Sequence, residues 1–311
     1  MNKFAIISDA SCDLGEKLKK EYDVITVNGH VTLPDKTEQS EFLNWNKTNR
    51  EQFYKDLSKN PDGYTTAPPN VDEFARAFEE CVKNGQDVLA ITISGAISGA
   101  FDFATQAKKQ VLQSYPDAKI ILIDSLRFSI AHGLLVILAA KLRENGHSAE
   151  EAAAYIEENK NRVHQCGWLD DLSFVAKKGR LTHSKAFFGK LAGIKPIGEF
   201  DYNGLTTVIG KVKGAKKAYA VLLDYIENTI ENPSEQTIFI AQTNRLAPAE
   251  KYRDMIIERF KPKDVIIVDV YPFCGVNVGP GLMAAYYVGK PISKGLETEK
   301  ALVQKLIDAQ G

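Results

Sequence analysis

Short apolar runs alternate along the first half of the chain with segments of helical period. The runs "FAIIS", "YDVITV", "DVLAITIS" and "KIILID" read as strands, and Glu73–Val82, Ala100–Leu112 and Ile130–Leu142 as helices between the later ones. Strand, helix and strand in repetition predict a mainly parallel sheet with helices on both faces. In "NGHSAEEAAAYIEE", Gly146 stops one helix, and Ser148 with acidic residues behind it caps the next. The boundary between an N-terminal domain (1–147) and a C-terminal domain (148–311) is placed there.

The second half has a different rhythm. "AGIKPIGEF" and "LTTVIGKV" are extended runs joined through Asn203-Gly204, a strong hairpin signal. A helix over Ala215–Ile230, a strand over Thr237–Ala241, a helix over Pro248–Phe260 and a strand over Asp264–Val270 follow. This predicts a second α/β domain with a mixed sheet. No repeat of fixed period is present.

Composition narrows the function classes. The 311 residues exceed what one core of ~250–300 residues usually organises. Lys and Arg number 39 against 40 Asp and Glu, so nucleic acid is not an expected partner. Cys12, Cys81, Cys166 and Cys274 lack any metal-ligand or paired spacing and read as reduced, buried thiols. The opening "MNKFAIISDA" lacks the order of a signal peptide, and the apolar stretch Gly133–Ala140 falls short of the ~20 residues of a membrane span. A cytoplasmic protein without stable membrane insertion is expected.

Chemistry concentrates where strands end. "AITISGAISGAFDFA" places only small and hydroxyl residues, including Ser94, Gly95, Ser98 and Gly99, between a strand and a helix. Small residues let an anion approach a helix N-terminus, yet neither a triphosphate loop nor a dinucleotide fingerprint is present. Serine capping with glycine for close packing is the plainer reading. "SDASCDL", "TTAPPN" and "IDSLRFSIAHG" bring further hydroxyls and acids to the same rim. Asp9, Asp13 and Asp124 do not complete a metal shell and read more simply as turn or cap residues. His132, in an apolar helix, reads as a core residue. His183 sits in a basic run with Lys177, Lys178, Arg180, Lys185 and Lys190, interleaved with Phe187 and Phe188, whose plain reading is a solvated face.

In order along the chain, "IISDASCDL", "TTAPPN", "ISGAISGAFDFA", "LIDSLRFSIAHG", "LSFVAKKGRLT", "GIKPIGEFDYNGLTTVIGKVKGAKKA" and "NVGPG" resemble the DegV family of bacterial fatty-acid-binding proteins. The resemblance implies two α/β domains holding one long-chain fatty acid between them, with no catalytic machinery, cofactor or metal. It implies Thr65 and Ser94 as donors to the carboxylate, helped by the backbone at Gly95, with the tail in the C-terminal domain. Some members present the fatty acid to a fatty acid kinase, and by position Arg180, with Lys177 and Lys178, is assigned to docking that partner. The family commonly has Ser where Gly95 stands, Thr at Ala100 and His at Asn277, so this head-group site is poorer in hydroxyls and has lost a titratable group. Ile194, Ile197, Phe187, Phe188, Leu191 and Phe273 are candidate wall residues.

The physics of a lipid carrier is consistent with this. About 15 methylenes at ~0.8 kcal/mol each supply ~12 kcal/mol of gross transfer energy, so a few neutral donors need only orient the head. Two other readings of the same residues are an enzyme acting on a carboxylate or phosphorylated substrate at the rim, and an interaction protein whose fatty acid completes the core. The enzyme would need a nucleophile with its base, or a metal.

Overall fold

The computed structural model describes residues 4–40, 44–45, 48–181 and 193–310. The chain forms two compact units. One comprises Met1–Trp45, Asp62–Lys160 and Tyr271–Phe273, and the other Asn46–Pro61, Asn161–Val270 and Cys274–Gly311. Among the described residues no helix is long and apolar enough to cross a membrane.

The first unit begins with β1 (Ala5–Asp9), α1 (Gly15–Glu21), β2 (Val24–Val27), β3 (His30–Thr32) and β4 (Glu38–Gln39). After α2 (Arg50–Lys59), which belongs to the second unit, it continues with β5 (Thr65–Ala67), α3 (Val71–Lys83), β6 (Val88–Thr92), α4 (Ala100–Ser114), β7 (Ile120–Asp124), α5 (Ile130–Glu144) and α6 (Ala149–Asn159). Strands β2-β1-β6-β7 form a wholly parallel sheet. The central strands "AIISD" and "VLAIT" are buried along their whole length, as a sheet covered on both faces requires. Ile7, Val88 and Ala90 pack with Phe74 and Phe78 of α3 and Ala104 and Ala107 of α4. Helix α5 packs on β1 and β6, and α6 on β7. The order reverses between β1 and β6, and in open parallel sheets ligands sit beyond the carboxyl ends of the strands at such a reversal. A small antiparallel sheet, β4-β3-β5, carries Thr65 opposite Thr32.

The units part after Lys160, whereas the sequence places the boundary between residues 147 and 148. Ser148 and Glu151 form the expected capping box, but the apolar side of α6 (Ala149, Ala152, Ala153, Ile156) is buried and the helix packs on α5 and β7, which holds it in the first unit.

The second unit carries β8 (Val163–Leu169), α7 (Ser173–Lys177), β9 (Ile194–Phe200), β10 (Thr206–Lys213), α8 (Ala215–Thr229), β11 (Thr237–Gln242), α9 (Leu246–Phe260), β12 (Asp264–Asp269), most of α10 (Pro272–Val278), β13 (Leu282–Val288) and α11 (Glu297–Ala309). Its sheet runs β10-β9-β8-β13-β11-β12, antiparallel except for β11 with β12. The predicted hairpin joins β9 and β10. Gly204 takes φ +86°, and the Asp201 carboxylate accepts from the N–H groups of Asn203 and Leu205 at 2.9 and 3.0 Å. Beneath the sheet, Glu199 is fully buried. Its Oε1 accepts from the N–H groups of Gln165 and Phe200, both at 2.8 Å, while Oε2 lies 2.9 Å from the Tyr225 hydroxyl and 2.8 Å from His164 Nδ1. His164 Nε2 reaches the Lys290 carbonyl at 2.8 Å, so this buried polar group is met on every side.

Candidate functional site

The rim beyond β1 and β6 is built from buried polar groups. Asp9 caps the turn after β1: its Oδ1 accepts from both the N–H and the hydroxyl of Ser11, and its Oδ2 accepts from the Ile93 N–H at 2.8 Å. One carboxylate thereby ties the end of β1 to the residue preceding Ser94. His132 of α5 faces the Ile91 carbonyl at 2.9 Å through Nε2, which must carry the proton, leaving Nδ1 as a lone pair 3.4 Å from Ser11 Oγ. Burial holds this imidazole below its ordinary pKa, with Asp9 and the Ile91 carbonyl opposing, so the ring stays neutral. Gly133 lets α5 approach this turn, since a Cβ there would lie 2.4 Å from the Cys12 carbonyl oxygen. Burial pushes the Cys12 thiol up to about 12, far from a reactive thiolate.

Ser, His and Asp in one cluster invite comparison with a nucleophilic relay, but the connections are wrong for one. The serine hydroxyl is bonded to the aspartate, the imidazole donates to main chain, and Asp9, Ser11 and His132 are all fully buried. The cluster holds a strand end in place. The other candidate metal ligands are likewise engaged: Asp13 accepts from the Ser129 hydroxyl at 2.5 Å and the Tyr271 N–H at 3.1 Å, and Asp124 accepts from Gly95 and Leu126.

Ser94 follows β6 at this rim and is fully buried. Its N–H donates to the Arg127 carbonyl at 3.0 Å, its carbonyl accepts from Ile97 at 3.1 Å, and its Oγ accepts from the Ala96 N–H at 3.3 Å. The hydroxyl hydrogen has no acceptor among the described residues. The Gly95 N–H is directed at the Asp124 carboxylate, 3.1 Å from each oxygen. Expected as a backbone donor to a ligand, this N–H is already engaged within the chain. A Cβ at Gly95 would stand 2.8 Å from Asp124 Oδ2, so a side chain here requires the carboxylate to move.

Thr65 lies on β5 in the same unit and is exposed, its hydroxyl without a partner among the described residues. The segment it begins runs to Asn70, whose side chain caps α3 in a capping box with Glu73. Asn277 is in the second unit, half-buried on α10.

Arg180, Lys177 and Lys178 close α7 in the second unit. Lys178 and Arg180 donate backbone N–H groups to Phe174 and Val175 at 3.1 and 3.0 Å, and Gly179 takes φ +72°. Lys177 is exposed, whereas Arg180 is half-buried and turns its guanidinium back onto the Lys178 carbonyl. Burial draws its pKa below the ordinary value. His183, Lys185, Lys190, Phe187, Phe188 and Leu191 lie outside the described residues. Of the other wall candidates, Ile197 is part of the second unit's core, Ile194 is half-buried, and Phe273 occupies the space a side chain at Gly29 would need.

Sequence reasoning passed over Arg127, a fully buried arginine whose carbonyl holds Ser94 and whose Nη1 donates to the Leu126 carbonyl at 2.7 Å. The signal for it in the sequence is an arginine inside the strand-end stretch "IDSLRFSIAHG"; the left-handed backbone at Leu126 and Ser129, both at φ +53°, shows only in the structure.

The sequence model described as "Uncharacterised protein, DegV family" matches residues 3–290. A DegV domain-containing protein of Clostridium perfringens is 33% identical over 289 residues, 93% of this chain and 98% of that one. Among solved structures, a DegV family protein from Thermus thermophilus, described by its fatty acid binding, superposes with a TM-score of 0.82 at 22% identity, covering 93% of this chain and 100% of the other. The Streptococcus pneumoniae Fatty Acid Kinase (Fak) B3 protein loaded with linoleic acid gives 0.78 at 23% identity, with 93% and 100% coverage. These likenesses share the fold described above, and with the match over nearly the whole sequence the chain belongs to the DegV family.

Proposed function

We propose that this protein binds a single long-chain fatty acid and carries it without transforming it. The observation that carries the reading is the Ser94 hydroxyl: it is buried at the reversal point of a parallel sheet, anchored through its own backbone, and its hydrogen is uncommitted among the described residues. Such a donor suits one carboxylate oxygen. Thr65 supplies a second hydroxyl from the same unit, Gly95 keeps the approach clear, and Asn277 is assigned an amide contact to the head group. The family resemblance assigns the tail to the second unit. The fatty-acid binding described for the Thermus thermophilus and Streptococcus pneumoniae relatives supports this assignment.

The carrier reading, with no catalysis by the chain itself, is supported by the Asp9–Ser11–His132 arrangement, which fixes structure rather than activating a nucleophile. Presentation of the fatty acid to a fatty acid kinase extends the reading, with Lys177, Lys178 and Arg180 as the docking surface. The direct test titrates delipidated protein with a long-chain fatty acid and with its methyl ester. Preference for the free acid by roughly tenfold or more, the worth of a charge-assisted hydrogen bond, is expected. Equal affinity for both would overturn the head-group assignment.

A further inference from the structure

His30 lies on β3, the strand that pairs with Thr65. Its Nε2 is 3.0 Å from Glu73 Oε2 and its Nδ1 is 2.8 Å from Glu38 Oε1. Glu38 belongs to β4 and Glu73 to α3, so one ring bridges three elements. Glu73 also completes the capping box, its Oε2 accepting the Asn70 N–H at 2.8 Å. The segment Thr65–Asn70 is therefore held at one end by pairing with β3 and at the other by a carboxylate that His30 itself grips.

We propose that His30 is a positioning residue for the Thr65–Asn70 segment, a clamp that is complete only when its ring is an imidazolium. The proposal rests on the assignment of Thr65 to the head-group site. Both ring nitrogens face carboxylates, and a neutral imidazole has one N–H and one lone pair. On deprotonation one nitrogen turns a lone pair toward a carboxylate. The contact to Glu38, a glutamate 61% exposed and too poorly aligned for a hydrogen bond, is lost, and the contact to Glu73, which holds the segment, falls from a charge-assisted hydrogen bond to a weaker one from a neutral ring. The charged groups around the ring are Glu38 from β4 and Glu73 from α3, with Arg76 of α3 acting on Glu73. β5 presents Thr65, Thr66 and Ala67, none of them charged.

Burial draws the His30 pKa down, but the Glu73 hydrogen bond and the charges of Glu73 and Glu38 outweigh it, and the net direction is upward from 6.5. A cation whose pKa is raised on folding stabilises fully below the unfolded value of ~6.5 and loses that contribution as pH rises through the folded one. The clamp is closed at mildly acidic pH and loosens above neutrality.

The test compares the parent, His30→Gln and His30→Lys by two readouts at pH 6.0 and 8.5: binding of a fluorescent long-chain fatty acid, and hydrogen exchange of the Thr65, Thr66, Ala67 and Asn70 amides, with variants compared at the same pH. The parent is expected to bind about two- to fivefold more tightly than His30→Gln at pH 6.0, the range for a partly exposed ion pair, and to match it at 8.5. His30→Lys, charged at both values, is expected to retain tight binding at 8.5. Exchange in the segment should be faster in His30→Gln at pH 6.0 only. Parallel pH profiles for parent and His30→Gln, or equal exchange at pH 6.0, would overturn the clamp. Failure of the parent to bind fatty acid at either pH would overturn the functional reading instead, and the exchange comparison would still decide the clamp.

Discussion

Removing one oxygen atom from Ser94 separates head-group recognition from folding. Among the described residues Ser94 Oγ accepts a single hydrogen bond, from the Ala96 N–H at 3.3 Å, and Ala96 is exposed, so water can replace the lost acceptor. The anchors that hold the loop are main-chain contacts, to Arg127 and Ile97, which alanine keeps. Ser94→Ala should therefore cost under about 1 kcal/mol of stability. Its effect on binding should be larger. A neutral hydroxyl donating to a carboxylate is worth ~1.5–3 kcal/mol, against a gross tail contribution of ~12 kcal/mol, so affinity should fall roughly ten- to 150-fold without vanishing. The assay is titration of delipidated parent and variant with a fluorescent long-chain fatty acid, beside thermal melts of the lipid-free proteins. Unchanged affinity would refute the placement of the carboxylate. A loss of affinity accompanied by a fall of many degrees in Tm would show that the hydroxyl holds the fold instead.

Glu199→Ala leaves two backbone N–H groups, the Tyr225 hydroxyl and His164 without their acceptor, and should destabilise the second unit by about 3–5 kcal/mol in denaturant unfolding; Glu199→Gln, which can still accept the two N–H bonds and donate to His164 Nδ1, should cost markedly less, and equal costs would contradict the network. Arg180→Ala should leave lipid content unchanged and slow kinase-dependent phosphorylation of the bound fatty acid, the deficit narrowing with added salt as the parent's electrostatic advantage is screened; loss of lipid with normal turnover would reverse the assignment. Asn277→His should tighten fatty-acid binding relative to the parent below about pH 6.5, where the new ring gains charge, and match it at higher pH; parallel profiles would remove Asn277 from the head group.

In the first unit β1, β6 and β7 were legible as short apolar runs and α3 and α4 by the one apolar face each carries. In the second unit β8 and β13 escaped. "VHQCGWL" has no apolar run, because the partners that make its polar residues tolerable, Glu199 for His164 and Tyr286 for Gln165, come from distant parts of the chain. The three-residue strands β3 and β5 are too short to show a period, so the sheet that carries Thr65 was invisible although Thr65 itself was singled out. Ser94 could be found from its neighbours. That Asp124 would engage Gly95 could not, since nothing local links residues 29 positions apart.

The central claim is that this chain carries one fatty acid, and the measurement that addresses it most directly is denaturing extraction of the purified protein followed by mass spectrometry of what is released. The account predicts a long-chain fatty acid at close to one per chain, retained through purification because the tail supplies most of the affinity. Release of nucleotides or sugars in its place, or of no lipid from protein that also fails to take up added fatty acid, would contradict it.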